Sequence, residues 1–311
     1  MNNLQITDDN RRRGFMKILS TVGMGLGISS VGFAQNQSAD GQSENLIKKG
    51  KVNSTGGYFN VKDFGATGNR DVRDIGAIQE AVKKCKESGG GTIYFPPGIY
   101  ISGTIWLYDD MTVHIDSGAV ILESYIEGME TIGKYRPHLI CADGAKNVAV
   151  IGFGSVKGQG EKMTHNSLQK ERGFRSGMLF FQNCTNVKIR DINIFDSDSW
   201  TVHLKGCKQV FIDSISIKND INRKTSNDGI DINACKYVHI SNCHIITSDD
   251  CIVLKTNDLT FPDCENIVVN NCTLETLCSA IKIGSETRRN FRDIVFSNCV
   301  IKNTSQGISM Y

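Results

Sequence analysis

Proline is scarce, four residues in 311 against 31 glycines, a balance that suits many short strands joined by tight turns. No C-x-x-C pair occurs, so a zinc site of that kind is excluded. Charge of one sign is missing too. The 35 Lys and Arg nearly balance 33 Asp and Glu, a net +2, which gives nucleic acid no reason to bind. The stretch "GFGSVKGQG" has glycines without dinucleotide spacing and no helix after it, so a nucleotide site is set aside. The apolar stretch Ile18–Val31 is too short for a comfortable membrane span, and no membrane partner is expected.

That stretch follows "NRRRGFMK" and precedes small residues at Gly32 and Ala34, the layout of a cleavable export signal over residues 1–34. Arg12-Arg13-Gly14-Phe15-Met16-Lys17 resembles a twin-arginine motif, which implies export in a folded state. The expected destination is the periplasm or the extracellular space. Residues 35–56 are polar and read as a linker, leaving 57–311 as the folded domain.

Eleven cysteines in an exported chain suggest disulfides, but their spacing argues otherwise. Cys184, Cys207, Cys235, Cys243, Cys264, Cys272 and Cys299 recur at strand boundaries, often as "NC". A regular repeat and an odd count fit free thiols, buried as small residues at equivalent positions.

From Asn147 onward the chain repeats one phrase. "NVKIRDINIFDS", "QVFIDSISIKND", "YVHISNCHIITS", "NIVVNNCTLETL" and "DIVFSNCVIKNT" each hold two alternating strands with a polar break. A third short strand follows each: "WTVHLKGC", "GIDINAC", "CIVLKT", "AIKIGS" and "GISMY". An antiparallel sandwich has no reason to repeat a three-strand phrase five times. An all-β parallel β-helix, a solenoid whose coils bury each other's apolar faces, does. "DIGAIQEAVKKCKESGGG" places Ile75, Ile78, Ala81, Val82 and Cys85 on one helical face ended by glycines, and would cap the open N-terminal end.

Aligning the third strands on their alternation yields columns across coils about 4.8 Å apart. One holds Trp200, Asp228, Asp250, Ser279 and Gln306. The column before it holds Ser199, Asn227, Asp249, Cys278 and Ser305. Three residues on stand His203, Asp231, Val253, Lys282 and Ser309. Asp228, Asp249 and Asp250 therefore converge on one outer face. Any one of them could serve as an Asx cap. Three together repel one another, at a cost that a purely structural coil has no cause to bear. Clustered acids suit glycoside hydrolysis, in which one acid protonates the leaving oxygen and a carboxylate activates water. They also suit calcium, the ion of β-helical polysaccharide lyases.

The pair "SNDGIDINAC" and "SDDCIVLKT" resembles the paired motifs of glycoside hydrolase family 28, the polygalacturonases and rhamnogalacturonan hydrolases. The likeness runs from "VKDFGATG" through "AIQEAV", "GSVKGQG" and "SWTVHLKGC" to about residue 300. It implies a single-stranded right-handed parallel β-helix that hydrolyses pectin-like polysaccharide with inversion and needs no metal or other cofactor. By the same resemblance Asp250 is the general acid, Asp228 and Asp249 hold the attacking water, and Lys255 contacts the saccharide. Trp200 and His203 are candidates to border a sugar subsite. The expected partner is a plant cell-wall polysaccharide or oligosaccharide, bound by a monomer.

Two departures bear on specificity. The family's G-H-G histidine is Ser279 here, and its R-I-K motif corresponds to "GISMY". Lys282, Arg288 and Arg289 are the candidates to supply the missing positive charge. A lyase, or a β-helix that binds glycan without turnover, stays open as an alternative. The chain also stops at Tyr311 on a third strand with no capping element, which reads as a piece of a longer protein.

Overall fold

The repeated phrase folds into stacked coils of three strands each. The computed structural model describes residues 57–125, 127–161, 174–223 and 226–311, so the expected export signal and linker lie outside the described residues. Three sheets of nine, eight and eight strands form, and each takes every third strand of the coiled region. Pairing is parallel throughout, as between Val202–Lys205, Ile230–Asn233 and Ile252–Thr256. This is a parallel β-helix.

Side chains of like size stack in the interior. Val187, Val210, Val238 and Ile267 form one buried column, and Ile194, Ile217, Ile245 and Leu274 another. Each buried aliphatic side chain contributes about 1.5–3 kcal/mol, but only where a neighbouring coil covers it. A coil alone gains little, and the repeat is the source of the stability.

The corners explain the "NC" dipeptides. Asn242, Asn271 and Asn298 have φ of 58°, 55° and 52°, a left-handed turn that asparagine tolerates. The Asn271 amide donates to Asn242 Oδ1 at 2.7 Å, so the corner side chains also form a ladder. The cysteine after each corner turns inward, where Cys243 and Cys272 are buried and Cys299 half-buried. All eleven cysteines are free.

The helix Ile75–Glu87 buries Ile78, Ala81, Val82 and Cys85 in the same core as Ile93 and Phe95, covering the first coil, while Ile75 is half-buried. Gly91 follows at φ 141°, and a Cβ there would lie 2.3 Å from the Gly57 carbonyl oxygen. Glycine is required at that close approach.

Candidate active site

The third sheet carries the acids at the mouths of its strands. Its registers set His203 beside Asp231, Asp231 beside Val253, Val253 beside Lys282 and Lys282 beside Ser309, the column read from the alternation. Backbone bonds link the other column. The Thr201 N–H donates to Asp228 O at 2.8 Å, Gly229 N–H to Asp250 O at 2.9 Å and Cys251 N–H to Ser279 O at 3.0 Å. Asp228 and Asp250 thus lie two residues before the adjacent strands Ile230–Asn233 and Ile252–Thr256, and Asp249 precedes Asp250.

Asn227 ties these coils together. Its Oδ1 accepts the Ser248 N–H at 3.0 Å, the Ser248 hydroxyl at 2.8 Å and the Asp249 N–H at 3.3 Å. Asp249 Oδ1 in turn accepts the Asp250 N–H at 2.9 Å. These bonds fix the carboxylate-bearing turn against the preceding coil.

The three acids meet different surroundings. Asp228 is buried, its Oδ2 lies 3.4 Å from Lys255 Nζ, and its Oδ1 has no hydrogen-bond partner. Burial, then the charge of Asp231, pushes its carboxyl well above the ordinary range; Lys255 opposes this, and Asp249 and Asp250 add to it. Asp250 is also buried, but Lys282 Nζ sits 2.8 Å from its Oδ2 and the Ser279 N–H donates to its Oδ1 at 3.2 Å. Asp249 is half-buried and meets no cation among the described residues.

Lys255 is the hub of the site. Its ammonium lies 2.9 Å from Asp231, 3.4 Å from Asp228 and 3.4 Å from Glu286, and 3.6 Å over the Trp200 ring. Burial alone would lower its pKa, but Asp231 and Asp228 outweigh burial and raise it. Asp231 is raised to about 6, chiefly by burial, against the pull of Lys255. Sequence reasoning placed Asp231 in a column without giving it a role. An aspartate on the outer face of a strand otherwise built of Ile and Asn was the available signal.

Trp200 is half-buried on this outer face rather than in the core, with its ring edge-on to His203 at 4.9 Å. His203 is fully buried, stacked on Phe180 at 4.4 Å, and both its ring nitrogens lack partners. Burial holds it well below its ordinary pKa, with His138, Lys255 and Lys205 acting the same way, so the ring is neutral. Ser279, where the resemblance leads one to expect a histidine, donates to Gln306 Oε1 at 3.2 Å and accepts from the Ser309 hydroxyl at 2.8 Å. Arg288 and Arg289 are exposed; their N–H groups donate to Thr256 Oγ1 at 3.0 Å, and the Arg289 guanidinium to Leu259 O at 2.5 Å. Of these three candidates, Lys282 alone contacts an acid among the described residues.

Asp249, Asp250 and Cys278 bring ligand atoms within 4.8 Å of one another. Two carboxylates and a thiol suit calcium poorly, since it takes six to eight oxygens, and Lys282 already occupies one of those carboxylates.

Residues 99–310 match the family described as Glycosyl hydrolases family 28. The chain is 23% identical over 274 residues to a Vitis vinifera protein described as "Probable polygalacturonase", covering 79% of this chain and 55% of the relative. It is 25% identical over 276 residues to an exopolygalacturonase of Platanus acerifolia, covering 83% of this chain and 67% of that one. Among solved structures, a family 28 exopolygalacturonase of Yersinia enterocolitica superposes with a TM-score of 0.72 at 22% identity, covering 82% of this chain and 55% of the other. This chain spans little more than half the length of the first and last of these.

Proposed function

The chain belongs to glycosyl hydrolases family 28, and on that premise we propose that it hydrolyses glycosidic bonds in a pectin-like, acidic polysaccharide with inversion. The observation that carries this reading is the coil register that sets Asp228, Asp249 and Asp250 at neighbouring strand mouths. Carboxylates brought to neighbouring strand mouths repel one another when ionised, which favours a proton within the cluster. Burial, then the charge of Asp231, raises the Asp228 carboxyl above its ordinary range in the free protein, so a ligand has to draw that proton toward the leaving oxygen before Asp228 can hold water.

The chemistry needs one protonated carboxyl at the leaving oxygen and one carboxylate behind the attacking water. The family resemblance gives the acid role to Asp250 and the water to Asp228 and Asp249. A specific contact favours a second assignment. Lys282 Nζ sits 2.8 Å from Asp250 Oδ2, so that oxygen already accepts a hydrogen bond from an ammonium. Asp249 has no such neighbour among the described residues and is more exposed. It is the better-placed donor, with Asp250 and Asp228 then gripping the water. In either assignment Lys255 links Asp228 to Trp200 and supplies a positive edge for sugar oxygens.

A polymer outside the cell requires an exported enzyme, in the periplasm or beyond it. No helix among the described residues is long and apolar enough to cross a membrane.

The test is turnover on a panel of pectic oligosaccharides, with product anomers followed by NMR. New reducing ends of inverted configuration support the proposal. Unsaturated, ultraviolet-absorbing products that disappear with chelator indicate a lyase, and binding without product indicates a non-catalytic β-helix.

A further inference from the structure

Behind the candidate acids, negative charge outnumbers positive. Lys255 Nζ lies 2.9 Å from Asp231 Oδ1, 3.4 Å from Asp228 Oδ2 and 3.4 Å from Glu286. Glu286 is exposed to water, whereas Asp231 and Asp228 are buried. One ammonium between two buried carboxylates leaves a charge uncompensated, which is strongly disfavoured away from water. The other neighbours offer no relief. Along its column Asp231 is flanked by the neutral His203 ring and by Val253, and Asp250 adds negative charge.

The carboxyl oxygens point the same way. Asp228 Oδ1 and Asp231 Oδ2 are buried without a hydrogen-bond partner. The two carboxyl groups nevertheless stand within hydrogen-bond reach of each other. Two carboxylates have no donor to offer. A carboxyl beside a carboxylate has one, and the bond between them is short and strong. The titrations agree with such a bond: burial and then Asp231 raise Asp228, and burial chiefly raises Asp231 to about 6 against the pull of Lys255.

We propose that Asp231 is a positioning residue that stores the proton of the acidic cluster, sharing it with Asp228 across Lys255 until a glycan binds. The bound glycan draws that proton through the acid of the turn, Asp249 or Asp250, to the leaving oxygen. Lys255 then stands between two carboxylates and stabilises Asp228 in the charged form that holds water. The attacking water gives one proton back to the cluster, so its proton count is restored at the end of each turnover. Asp231 is fully buried and out of reach of sugar, so it acts only through Asp228 and Lys255. This rests on the reading of the protein as an inverting hydrolase.

The experiment has two arms. Side-chain carboxyl NMR of the wild-type protein without ligand follows Asp228 and Asp231 as pH rises, each assigned through its own backbone. A shared proton predicts that the two titrate together and keep that proton above the ordinary carboxylate range. Independent ionisation of both within that range overturns the proposal, and this arm needs no variant to fold. The second arm is the pH profile of kcat/KM for Asp231→Asn on pectic oligosaccharide. Removing a negative charge beside Asp228 lets that carboxyl ionise more easily, so the cluster loses its proton at lower pH. The basic limb should shift to lower pH, with KM unchanged at the optimum. A fall in kcat equal at every pH, with the limb in place, makes Asp231 merely structural and overturns its role. A pair that titrates together in a protein yielding no product keeps the shared proton and loses the hydrolase reading.

Discussion

Lys282 Nζ lies 2.8 Å from Asp250 Oδ2, joining the strand Ser279–Thr287 to the turn that bears the catalytic candidates. Asp250 is buried and its partner only partly exposed, so removing the cation strands a charge. Lys282→Met should lower stability by about 1–3 kcal/mol. The double variant with Asp250→Asn should regain most of that loss, because no unpaired charge remains. Thermal melts of the four proteins of this cycle measure the coupling, and additive losses would show that the contact contributes nothing.

The identity of the acid can be read from leaving groups. Asp249→Asn and Asp250→Asn should each cut turnover of natural oligosaccharide by about 10²–10⁴-fold, since neither change alters side-chain volume. The variant lacking the proton donor should recover on a substrate whose leaving group needs no protonation, such as a nitrophenyl glycoside. The contact with Lys282 predicts that Asp249→Asn is the one rescued. Rescue of Asp250→Asn alone would return the acid role to Asp250.

Asp231 supplies a prediction about pH. Its folded pKa is raised to about 6 from an ordinary value near 3.8, so the folded state holds the proton more tightly than the unfolded chain. The folded state is therefore favoured below pH 4, and this contribution is lost as pH rises toward 6. Asp231→Asn should flatten the dependence of melting temperature on pH across that window. A variant that keeps the wild-type slope would assign the slope to other groups.

The cysteine columns predict indifference to reductant. All eleven thiols are free, and nine are buried. A disulfide framework would contribute about 2–5 kcal/mol per bridge. Melting temperature with and without dithiothreitol should agree closely, and a marked fall on reduction would reveal bridges.

The sequence by itself determined the coil. Period-two alternation of Ile and Val, repeated with "NC" at the corners, leaves each strand an apolar face that only a neighbouring coil can cover, so Val187, Val210 and Val238 had to stack. The same alternation placed His203, Asp231, Val253 and Lys282 in one column, because parallel registers carry a side chain directly onto its counterpart. What lay outside the repeat was not legible. Tyr135 and Arg136 come from an irregular segment with no period, and only the fold brings them against Trp200 and His203. Partnership was equally hidden. A column fixes where a residue sits along the coil, whereas the tertiary structure decided that Lys282 turns to Asp250, Lys255 to Asp231 and Asp228, and that Asp249 meets no cation among the described residues. Long flexible side chains choose among several neighbours by distance and burial, and neither quantity exists until the coils are stacked.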